Sequence, residues 1–65
     1  MTNIENKKER LEKALYNWLD STDTVQEDIL NLIDKNNVSK STIAKDIDTM
    51  KNKLVTLENN LKRYW

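Results

Sequence analysis

Three groups of residues in this 65-residue chain could take part in chemistry. Glu27, Asp28 and Asp34 lie near one another, and neighbouring carboxyls are a starting point for acid–base catalysis. Ser39, Lys40, Ser41, Thr42 and Lys45 gather hydroxyls and ammonium groups of the kind that meet phosphates. Tyr64 and Trp65 follow Lys62 and Arg63 at the end of the chain, and such rings bury much area with few rotors, as binding anchors do. The first group carries little. The chain has no His and no Cys, so an active site would need paired carboxylates or an activated lysine in a pocket. Charges at these spacings are what a solvated helix face looks like, and a short helix in so small a chain offers hardly any cleft. We expect a protein that is not an enzyme, with no catalytic residue, no cofactor and no metal ligand. Tyr64 and Trp65 are expected either to fold back, onto Tyr16 or Trp18, or to dock on a partner.

The second group sits in Val38-Ser39-Lys40-Ser41-Thr42-Ile43-Ala44-Lys45-Asp46-Ile47. This segment resembles the turn and recognition helix of helix-turn-helix DNA-binding domains, in which a Val-Ser opening precedes a Thr-Ile pair and a basic residue. The resemblance implies that Ser39, Lys40, Ser41, Thr42 and Lys45 face a duplex while Val38, Ile43 and Ile47 are buried. Upstream, Ile33 stands where that family has a small residue, Asn36 where it has an apolar one, and Asn37 in place of the turn glycine. Read without the resemblance, the segment is a capped helix start: Ser39 as N-cap, with Val38 and Ile43 spaced as a hydrophobic staple.

The elements that would position these groups are helical. From Ser39 onward, apolar residues fall at Ile43, Ile47, Met50, Leu54, Leu57, Leu61 and Tyr64, an unbroken alternation of fours and threes. That is an a/d heptad, and Ile43, Ile47, Met50, Leu54, Leu57 and Leu61 form its expected oligomer seam. Upstream, Leu11, Ala14, Leu15, Trp18 and Leu19 make one stripe, and Val25, Ile29, Leu32 and Ile33 another. Asp20-Ser21-Thr22-Asp23-Thr24 between them reads as a break, because these short polar residues compete for backbone hydrogen bonds. Thr2–Glu5 and Thr24–Glu27 have capping-box spacing. Asn36 or Asn37 can take the left-handed conformation that ends a helix. The pattern predicts an all-α fold with three helices, at about 3–20, 24–35 and 39–64. It would be one small domain, either a three-helix bundle or a hairpin whose first arm is kinked.

Composition bounds the rest. There is no Gly and no Pro, which disfavours a turn-rich strand fold, and 34% of residues are charged. Net charge is zero but unevenly spread: residues 21–38 set Lys35 against Asp23, Glu27, Asp28 and Asp34, while residues 39–65 carry six basic groups against Asp46, Asp48 and Glu58. An acidic segment packing on a basic one accounts for this. No apolar run approaches a membrane span and the first ten residues lack a signal-peptide core, so a soluble, cytoplasmic protein is expected, with no membrane role. With neither disulfide nor metal available, a chain near the lower size limit for independent folding has oligomerisation left. We therefore expect a homodimer. The function expected is a small regulator or adaptor that binds a protein partner through helix faces, with no small-molecule substrate. Abundant Asn, Lys, Asp and Ile suggest an AT-rich bacterial or phage source, where an inhibitor would fit. A DNA-binding regulator and a purely structural oligomerisation module are the alternatives.

Overall fold

The computed structural model describes residues 3–65, with the side chains of Asn3, Ile4, Glu5 and Tyr64 outside the described set. The capping box expected at Thr2–Glu5 thus lies outside the described residues, as does any side-chain role of Tyr64. The backbone forms two helices, α1 (Asn3–Asp34) and α2 (Lys40–Tyr64). This corrects the expected three: the segments 3–20 and 24–35 belong to one helix of 32 residues. The short polar residues explain the difference. Instead of drawing the backbone into a turn, their hydroxyls donate back to carbonyls of the preceding helical turn: Ser21 Oγ to Trp18 O at 2.6 Å, Thr22 Oγ1 to Leu19 O at 2.7 Å, and Thr24 Oγ1 to Asp20 O at 3.2 Å. Ser and Thr have this second option whenever the helix continues through them. Thr24, expected as an N-cap, is mid-helix.

Packing gives the helix a reason to continue. Leu11, Ala14, Trp18, Ser21, Val25, Asp28 and Leu32 follow one another at spacings of three and four, straight through the supposed break. All are buried or half-buried, Ala14 (6% exposed) and Val25 (7%) most completely. A turn at Ser21 would throw the two halves of this line out of phase. On α2 the buried line holds Ile43 (9% exposed), then the half-buried Asp46, Ile47, Met50, Leu57 and Asn60.

The two lines meet in an antiparallel hairpin. The Cα trace measures 49 × 14 × 12 Å, so α2, about 37 Å long at about 1.5 Å per residue, can only lie alongside α1. Asp28 and Asp46 come together across the pair. That register sets Ser21 level with Lys53 and Ala14 level with Asn60, and leaves the first two turns of α1 beyond the end of α2.

Residues 35–39 connect the helices. The Lys35 amide still bonds the Asn31 carbonyl at 2.9 Å, and Asn36 then takes φ 51°, the left-handed conformation expected of Asn36 or Asn37. Ser39 is extended (φ −84°, ψ 157°) and caps α2 by accepting from the Thr42 amide at 3.2 Å. Val38 is half-buried and Ile43 buried on either side of this cap, as a staple requires. At the far end the Trp65 amide bonds Leu61 O at 3.0 Å, and Lys62 and Arg63 occupy the last turn, where cations oppose the helix dipole.

Candidate functional site

The hairpin has two unlike faces, and winding geometry produces them. Each residue turns a helix by about 100°. Viewed from one end, antiparallel helices wind in opposite senses, so the residue that follows a seam position points to the same side of the hairpin in both. On α1 those followers include Leu15, Leu19, Ile29 and Ile33; on α2 they include Ile47, Leu54 and Leu61. Apart from the half-buried Ile47, all of these are exposed, from 37% for Leu15 and Ile29 to 71% for Ile33. Tyr16, Leu30 and Val55, one step further round, are exposed on the backs of the helices, opposite the seam.

The residues that precede seam positions point the other way. They are Arg10, Lys13, Asn17, Asp20, Thr24, Glu27 and Asn31 on α1, with Thr42, Lys45, Thr49, Asn52, Thr56 and Asn59 on α2. None is apolar. Among the described residues, one side of the hairpin therefore carries leucine and isoleucine from both helices, interspersed with Glu12, Thr22, Gln26, Lys51 and Glu58, and the other side carries no apolar residue.

This division splits the expected oligomer seam. Ile43, Met50 and Leu57 face α1 within the chain, whereas Leu54 and Leu61 turn outward and Ile47 lies between the two. The sequence pattern did not reveal that Leu15, Leu19, Ile29 and Ile33 join them on one surface. The signal was present as a second apolar line one residue after the first, but it emerges only when 3–34 is taken as one helix.

Asp28 and Asp46 sit on the polar edge of the seam. Asp46 Oδ2 is sealed from solvent and meets no hydrogen-bond donor. The Asp28 carboxyl, as a hydrogen-bond partner, raises the pKa of Asp46 above the ordinary carboxylate value; partial burial and like-charge repulsion from Asp28 act in the same direction. Glu27 and Asp34 are exposed and do not join this pair. Trp18 Nε1, also in the seam, is buried without an acceptor.

Ser39, Lys40, Ser41, Thr42 and Lys45 are all exposed near the connection end. Ser39 Oγ and Thr42 Oγ1 are 3.0 Å apart, engaged in the cap. Trp65 is 67% exposed and does not return to Tyr16 or Trp18. At the opposite end, in the last turns of α2, a polar recess is lined by Thr56, Asn59, Asn60, Lys62 and Arg63. Among the described residues no three His, Cys, Asp or Glu side chains converge as a metal site, and no helix is long and apolar enough to cross a membrane.

No protein-family model matches this chain, and comparison with curated proteins and with solved structures likewise finds no match.

Proposed function

We propose that this chain is a non-enzymatic helical module that works by binding protein, as a small regulator or adaptor, through the apolar face of its hairpin. The observation that carries this reading is the segregation itself. Exposed Leu15, Leu19, Ile29, Ile33, Leu54 and Leu61 share one side and no apolar residue falls on the other. Leucines scattered all round a molecule are ordinary, but exposed apolar residues gathered on one side mark an interaction surface. The exposed Trp65 adds a large ring beside the same end of α2.

The test is substitution by face. Leu19→Glu and Ile29→Glu put charge on the apolar side, and Asn17→Glu and Asn52→Glu put it on the polar side. With the full chain as bait and helicity checked by circular dichroism, the first two variants should lose bound protein and the second two keep it. Equal capture by all four would overturn the reading.

DNA contact through Ser39, Lys40, Ser41, Thr42 and Lys45 is the second reading, supported by their common exposure at one end. It ranks lower because helix-turn-helix units cross their helices at about 90–120°, whereas α2 here runs back along α1. Duplex binding that falls steeply between about 50 and about 200 mM salt, and weakens in Lys40→Ala and Lys45→Ala, would promote it.

A further inference from the structure

We infer that the protein on the apolar face is a second copy of this chain, so that two hairpins close into a four-helix bundle; the inference rests on the protein-binding reading above and names its partner. Three observations select this occupant. The first is shape. Exposed apolar residues on this side come from both helices, Leu15, Leu19, Ile29 and Ile33 from one and Leu54 and Leu61 from the other, which fits half of a four-helix bundle better than a groove for a single foreign helix. The second is area. The stretch where α2 lies beside α1 is about 37 Å long and about 20 Å wide, so it offers roughly 700 Å² per copy. Standard-size interfaces begin at about 600 Å² per partner, so one face suffices, and a two-fold pair uses the same face twice.

The third observation combines core and charge. Among the described residues only Ala14, Val25 and Ile43 are buried apolar residues, which is a thin core for a chain of this size. A chain that completes its core only on association needs a partner present wherever it is made, and its own copy meets that condition. Nor does the face repel itself. The charged followers on α1 and α2 are Glu12 and Glu58 against Lys51, mixed in sign, within a chain of zero net charge.

Sedimentation equilibrium of the full chain over a hundredfold concentration range tests the inference, with helicity followed on the same samples. The expected species is twice the 7.7 kDa chain mass, and its melting temperature should rise with protein concentration. Leu54→Glu should remove association, whether or not the resulting monomer stays helical, and Asn52→Glu should preserve it. A folded wild-type species of single mass at every concentration would overturn the second copy. If that monomer bound a hydrophobic dye that Leu54→Glu abolished, the apolar face would still stand as a site for another protein. A monomer without such dye binding, or a dimer broken by Asn52→Glu and not by Leu54→Glu, would defeat both readings. Species larger than a pair would also overturn it, since the two-fold face closes on itself.

Discussion

The carboxyls of Asp28 on α1 and Asp46 on α2 meet across the hairpin seam, and the Asp46 Oδ2 atom is closed off from water with no donor beside it. The neighbouring carboxyl makes Asp46 hold its proton more tightly than an ordinary carboxylate does. Because the folded-state pKa of Asp46 is raised, its contribution to stability is fully present below the unfolded-state value and is lost as pH rises through the folded one. Asp46→Asn imitates the protonated form. It should raise the melting temperature at pH 7 and flatten the loss of stability as pH rises above the ordinary carboxylate range, both measured by thermal circular dichroism. A variant less stable than wild type at neutral pH would show that the two carboxyls do not oppose folding.

Continuity of α1 through Ser21 and Thr24 can be tested with proline. Asp23 is exposed, so its side chain is dispensable, but its backbone is helical. Asp23→Pro should cost about 3 kcal/mol in chemical denaturation and lower the helical signal. Near-wild-type stability would restore the turn that the sequence pattern suggests at this point.

The connection makes a finer prediction. Asn36 is left-handed, where a Cβ is unfavourable and Asn is tolerated through its short polar side chain. Asn36→Ala should destabilise by on the order of 1 kcal/mol while Asn36→Gly is neutral or stabilising. Ser39→Ala, which removes the cap to the Thr42 amide, should cost about 1 kcal/mol, and Ser39→Asp should restore it.

Trp18 is the largest side chain on the α1 seam, and its indole N–H has no acceptor. An orphaned buried donor costs roughly 1–3 kcal/mol. Trp18→Phe removes the donor along with part of the ring, so the two effects offset. We expect a change within about 1 kcal/mol, against about 3–5 kcal/mol for Trp18→Ala.

Local rules carried the sequence reading wherever a backbone need had one residue to meet it. The Ser39 cap, the left-handed Asn and the α2 heptad are of this kind: each depends on residues a few positions apart. The stretch from Asp20 to Thr24 failed for an equally specific reason. Its residues have two uses for their hydroxyls, and only the packing of Trp18 and Val25 on the same partner decides between them. Ser21 and Asp28 further hid the α1 repeat, since polar residues occupy two of its seam positions. On α2 the heptad was plain, but its division between an inward line at Ile43, Met50 and Leu57 and an outward one at Leu54 and Leu61 depends on where α1 lies. Pairing Asp28 with Asp46 was likewise beyond reach until the register was known.

The five-residue connection also orders events in time. Closing a loop costs less entropy the shorter it is, so the contacts nearest residues 35–39 form first. Leu32 and Ile43 can meet as soon as the Ser39 cap turns the chain, whereas the level of Trp18 and Leu57 must wait for everything between. The hairpin should therefore zip from the connection outward, through largely sequential contacts that favour a fast rate. Unzipping runs in reverse, beginning near Leu11 and Leu61 and reaching Asn36 last.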